Sequence, residues 1–167
     1  MVTSIVGEVV VAIALGFALV RMAHVYLHWR GIRIVTCVEN RRPAAIAVAP
    51  WRAAFTAIFG RRDLRVEHCS RWPAWSGCAQ TCLKEVREAP EATRVERILG
   101  NWCQHNACIC CGAPLTNAHV RAHQPHLIDP NRRIFEWKEI PLEAIPEKLR
   151  EYEPVCETCV DAETRTW

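Results

Sequence analysis

Cys108-Ile109-Cys110-Cys111-Gly112, taken with the later Cys156-Glu157-Thr158-Cys159, decides how this chain is organised. In a Cys-x-x-Cys turn two thiolates converge on one ion, and a glycine directly after the second cysteine can take the positive φ that closes the turn. Cys108 and Cys111 have that spacing, with Gly112 behind them. One such knuckle is half of a tetrahedral site, and Cys156 with Cys159 repeats the spacing and offers the other half. Reduced core cysteines and disulfides are the competing explanations for the same residues.

From this knuckle onward, roughly the last third of the sequence resembles the treble-clef and zinc-ribbon class of metal modules, whose knuckle rubredoxins also use. The resemblance implies a mode of metal binding and not a biochemical activity. In treble clefs the second pair sits in the first turn of a helix. Val155-Cys156-Glu157-Thr158-Cys159-Val160-Asp161-Ala162-Glu163 reads that way, with Pro154 just ahead and Glu157, Asp161 and Glu163 suited to an early helix. Between the pairs, residues 120–127 and 133–138 read as two strands joined at the turn Asp129-Pro130-Asn131-Arg132. Val160 follows Cys159, so this is not a symmetric double knuckle of the rubredoxin kind. A treble clef bearing histidines is also similar to the HNH nucleases, where a hairpin histidine acts as general base. His123, flanked by His119 and His126, would take that place, but Val160 stands where that family commonly carries a metal-binding histidine.

At 167 residues the chain suffices for one ordinary domain, or for a membrane anchor and a small domain. Its formal net charge of +3 argues against a protein defined by nucleic-acid binding, and no nucleic-acid partner is expected. Ten cysteines are many for this length, and they imply disulfides in an oxidising compartment or metal ligands in a reducing one. No phosphate-binding glycine loop, nucleophile elbow or paired-carboxylate motif occurs, so no catalytic residue is nominated.

The compartment follows from the N-terminus. Residues 5–27 are predominantly apolar, long enough for a helix to cross the roughly 30 Å hydrocarbon layer if Glu8 and Arg21 lie near its two faces. Tyr26 and Trp29 fall where an interfacial aromatic belt belongs. A signal peptide is disfavoured, because no Lys or Arg precedes the run and no small-x-small cleavage site follows it. Arg21, Arg30, Arg33, Arg41 and Arg42 lie at its end or beyond, so the positive-inside rule predicts a single-pass membrane protein with a cytoplasmic C-terminal domain. In that reducing compartment metal explains the cysteines better than disulfides do. His24 and His28, four apart at the boundary, read as interfacial polarity rather than as axial ligands, since no second span offers a partner histidine.

A second cysteine group is weaker. Residues 32–38 and 44–48 read as a hairpin, 50–60 as a short helix with Trp51, Ala54, Phe55 and Ile58 on its apolar side, and 64–68 as another strand. If a helix runs from Gly77 through Val86, Cys78 and Cys82 share one face. Cys37 at a strand end and Cys69 in a loop would complete a second four-thiolate set. Cys110 is spare, because adjacent cysteines point apart, and Cys103 is read as spare as well.

The sequence therefore predicts an α+β fold: a transmembrane anchor at 1–30, an α+β part at 31–105 with a possible second site, and a treble-clef-like part at 106–167. The candidate ligands are Cys108, Cys111, Cys156 and Cys159, then Cys37, Cys69, Cys78 and Cys82. Zinc, as one or two ions, is the default for four thiolates, and an iron-sulfur cluster is the alternative. The function that follows is a non-catalytic accessory or assembly subunit of a membrane complex, whose partners are the bilayer and other subunits. An electron-transfer subunit is the second reading and a membrane-tethered hydrolase the third.

Overall fold

The computed structural model describes residues 2–74, 77–115 and 126–164. It divides into two units, one of Met1–Ile32 with Ile46–Leu83 and the other of Arg33–Ala45 with Lys84–Trp167. Helix and sheet are mixed, and the cysteine-rich knuckle lies in the second unit.

The first unit opens with helix α1, Val2–Trp29. Over Val6–Trp29 it is long and apolar enough to cross a membrane, since 24 residues rise about 36 Å. A helix on a soluble core buries one stripe, whereas Val6, Val10, Ile13, Leu15, Phe17, Leu19 and Val20 are all exposed here. The helix stops where Arg30 donates its N–H to the Tyr26 carbonyl at 2.9 Å and Gly31 adopts a φ of +100°, a left-handed ending that costs glycine little.

Helix α2, Pro50–Ile58, starts on a proline and ends in paired reverse bonds, Gly60 N–H to the Ala57 carbonyl and Arg61 N–H to the Thr56 carbonyl. It packs on α1. Ala53, Ala54 and Ala57 are buried, as are Val25 and Trp29 on α1, and such small side chains let two helix backbones approach closely. This corrects two expectations. Of the four residues read as its apolar side only Ala54 is buried, while Trp51, Phe55 and Ile58 are exposed, so that side is not the one that packs. Trp29 is buried within the unit rather than set in an interfacial belt, and Tyr26 is half-buried with its ring 4.7 Å from that of Trp51.

Strand β1 is Ile32–Thr36 and strand β2 is Pro43–Val48, whose residues 46–48 belong to the first unit. There they pair antiparallel with β3, Val66–Cys69, in the register Ile46 with Cys69 and Ala47 with His68, with a bulge before Val48. Cys69 thus ends a strand and does not lie in a loop. The helix expected from Gly77 is also shorter than its sequence suggests, since α3 spans only Leu83–Glu88. Gln80 interrupts it, with a φ of +55°, and its side-chain oxygen accepts the Val66 N–H at 2.9 Å. Cys78 and Cys82 therefore flank a left-handed residue and do not share a helix face.

In the second unit, β1 turns at 37–42, where Cys37 N–H reaches the Arg42 carbonyl and Arg41 N–H returns to the Cys37 carbonyl. Arg33 on β1 is fully buried and donates to the Pro90 carbonyl and to Thr93 Oγ1. Helix α4, Val95–Gln104, lays Val95 and Leu99 against Ile34, Leu127, Ile140 and Ile145, the apolar core of this unit. The Trp102 indole N–H bonds the Leu149 carbonyl at 2.8 Å.

A small antiparallel sheet carries the rest. Strand β4, His126–Ile128, lies between β5, Ile134–Glu136, and β6, Glu153–Val155. Leu127 faces Phe135 on one side and Pro154 on the other. The β4–β5 turn is the one expected: Asp129 Oδ1 accepts the Arg133 N–H at 2.8 Å, and Arg132 takes a φ of +62°. The earlier part of the first strand, at 120–125, lies outside the described residues. From β5 two single turns of 3-10 helix and the short helix α5, Ile145–Lys148, return the chain to β6. Helix α6, Glu157–Thr164, follows at once.

Candidate metal centre

Chain geometry brings two thiols in from each side. On the first side, Cys108 N–H donates to the Ala113 carbonyl and Gly112 N–H to the Cys108 carbonyl, a loop closed by Gly112 at a φ of +70°. On the second side, β6 ends at Val155, and the Cys156 carbonyl accepts the N–H groups of Cys159 and Val160. Cys156 is thus the cap of α6 and Cys159 lies in its first turn. The helix begins two residues later than 155–163 suggests, because Val155 is taken up by its ladder with His126.

The edge of β6 turned away from β4 receives the knuckle. Ile109 N–H donates to the Pro154 carbonyl at 3.0 Å, and Cys156 N–H donates to Cys108 Sγ at 3.3 Å. Nothing in the cysteine spacing points to either bond; the only cue is that the three-residue strand before Cys156 has one edge open.

The Sγ atoms of Cys108, Cys111, Cys156 and Cys159 all lie within 4.8 Å of one another. Cys111 Sγ and Cys156 Sγ are 3.7 Å apart. A disulfide would need about 2.05 Å, and none of the ten cysteines forms one. With metal–sulfur bonds of about 2.3 Å, the edge of a tetrahedral four-sulfur site is about 3.8 Å. The residues present therefore fit an ion of that size and coordination. No family model, no curated protein and no solved structure matches the chain. The zinc-ribbon likeness accordingly rests on this cluster, and no family is identified.

Electrostatics divides the four thiols. Burial pushes the Cys108 thiol up, but N–H donation from Cys156, then from Cys111 and Cys110, outweighs it and brings the pKa down to about 6. Cys156 is raised, first by burial. Cys159 is raised well above the thiol range, chiefly because Cys156 and Cys111 share its proton and also because Cys108 already carries charge. Without a cation Cys108 ionises readily, while Cys156 and Cys159 hold their protons. A divalent ion reverses that balance and expels the remaining protons as it binds.

The two cysteines judged spare behave accordingly. Cys103 is fully buried on α4, where burial pushes its thiol up to about 11. Cys110 is exposed and is not among the four converging sulfurs. Among the described residues no second set of three or more ligating atoms converges. Cys69 ends β3, Cys78 and Cys82 precede α3, and Cys37 opens the β1–β2 turn in the other unit. Of the three histidines considered for a hydrolytic site, His126 lies in β4 opposite Glu136 and Val155, and His119 and His123 fall outside the described residues.

Proposed function

We propose that this protein is a membrane-anchored zinc-binding subunit that assists or assembles a larger membrane complex and performs no catalysis itself. The observation that carries this reading is the convergence of four cysteine sulfurs from two remote pairs. Zinc is redox-inert and content with four tetrahedral thiolates, so its role here is to hold the knuckle to β6 and α6. The strands around it are only three residues long, and a metal that closes so long a loop adds its binding energy to folding. The long exposed apolar helix α1 supports the anchor. The arginines that follow it support a C-terminal part on the cytoplasmic side.

Metal analysis of protein extracted in mild detergent tests the reading. One zinc per chain in a colourless sample supports it. Iron with visible thiolate absorption would replace it with the electron-transfer reading, because the same four thiolates serve iron equally well.

A further inference from the structure

Helix α2 presents three faces. Ala53, Ala54 and Ala57 are buried toward α1. Arg52 and Thr56 form a polar edge, where the Arg52 guanidinium pairs with Asp63 at 2.6 Å and Thr56 Oγ1 accepts the Asp63 N–H. The third face is aromatic and bare: Trp51, Phe55, Ile58 and Phe59 recur at helical spacing and are 65%, 60%, 42% and 69% exposed. Large aromatic side chains in such a row do not stay in water without cause.

We infer that α2 is an interfacial helix, seated with this aromatic face in the boundary between headgroups and acyl chains of the bilayer that α1 enters. Three observations choose lipid as the occupant. The face is continuous with α1: the Trp51 ring lies 4.7 Å from that of Tyr26, about one turn before the helix ends at Trp29, where Leu27 is still exposed. That is the depth at which tryptophan and tyrosine collect in membrane proteins. Exposed arginines flank both helices in sequence, with Arg61, Arg62 and Arg65 after α2, Arg21 on α1 and Arg30 just after it. Within the first unit seven arginines stand against three acidic residues, while the second unit has one more acidic than basic residue. A positive, aromatic-faced helix beside an apolar span suits an anionic leaflet surface.

The inference rests on α1 being a membrane anchor, and one experiment separates the two. The full chain is reconstituted in vesicles of phosphatidylcholine and phosphatidylglycerol with p-benzoylphenylalanine in place of Phe17, Phe55 or Phe59, one site at a time. After illumination, lipid adducts are read by mass spectrometry. Adducts at all three sites, with yields at Phe55 and Phe59 comparable to that at Phe17, are expected. Lipid adducts at Phe17 without any at Phe55 and Phe59 overturn the interfacial helix and leave the anchor standing. Cross-links from Phe55 to a second copy of the chain overturn it in favour of a protein interface. No lipid adduct at Phe17 removes the anchor, and the interfacial helix with it.

Discussion

The backbone N–H of Cys156 donates to Sγ of Cys108 at 3.3 Å, across 48 positions of sequence. That bond joins the two halves of the thiol cluster through protein atoms alone. It is also the largest of the contacts that lower the pKa of Cys108, the buried member. Bonds of this kind orient ligands before the ion's own preferences act.

The four converging thiols and the adjacent Cys110 should separate cleanly on substitution. Cys159→Ser leaves a three-sulfur site, and zinc affinity should fall by more than about 100-fold, since even outer partners of a metal ligand are worth 10–100-fold. Cys110→Ser should change neither affinity nor stoichiometry. Competition against a chromophoric chelator measures both. Equal losses in the two variants would mean that Cys110 is a ligand.

Stability of the chelated protein should rise with pH through the range between about 6 and the ordinary thiol value of 9.0. The sign follows from linkage: Cys108 loses its proton in the folded chain before it does so in the unfolded chain, so its contribution is complete above the unfolded value and gone below the folded one. Cys156 and Cys159 are shifted the other way, so their contribution is present below the ordinary thiol value and fades as pH rises beyond it. A stability maximum near that value is expected from denaturant titrations across pH. A flat profile would show that the four sulfurs do not interact in solution.

Gly112 tests the knuckle's backbone separately from its sulfurs. A Cβ placed there would meet nothing within 4 Å, so the cost of substitution is the positive φ alone. Gly112→Ala should destabilise by about 1 kcal/mol, Gly112→Asn by less, and Gly112→Val by more, because β-branched residues are the least suited to that conformation. Thermal denaturation of the zinc-loaded chain reads the order. An Asn variant as damaged as the Val variant would point to a steric cause instead.

Much of this architecture is legible in the sequence, for physical reasons. A long apolar run needs no partner to identify it, and α1 follows from composition, with Glu8 and Arg21 the only Asp, Glu, Lys or Arg within it. The knuckle is written in a glycine and two cysteines, and the β4–β5 turn in the ability of Asp129 to accept its own downstream N–H. The packing face of α2 is not written in this way. Its alanines and its aromatics are both apolar, and periodicity cannot say which set meets protein when the other has a different solvent. Gln80 conceals itself because nothing in its chemistry demands a left-handed backbone; the demand comes from Val66, a residue distant in sequence. The docking of Ile109 on Pro154 is likewise a backbone contact that no side chain announces.

Arg33 is a further position that only the fold reveals. It lies within a strand and reads as a surface or membrane-flanking charge, yet it is fully buried and bonded to the Pro90 carbonyl and Thr93 Oγ1. Arg33→Ala should cost about 3 kcal/mol, because it removes two hydrogen bonds from a charged donor and leaves a cavity behind, while the Pro90 carbonyl keeps its bond from Thr93 Oγ1. Zinc affinity should be unchanged, since the Pro90 carbonyl and Thr93 Oγ1 that Arg33 bonds are not part of the four-sulfur cluster. Chemical denaturation and chelator competition on the same sample check the two halves.

X-ray absorption at the zinc edge of the purified full-length protein is the most direct test of whether two distant thiol pairs hold one ion. Four sulfur scatterers at about 2.3 Å, falling to three on Cys156→Ser and staying at four on Cys110→Ser, is the expected result. A shell dominated by nitrogen or oxygen, or one unmoved by Cys156→Ser, would contradict it.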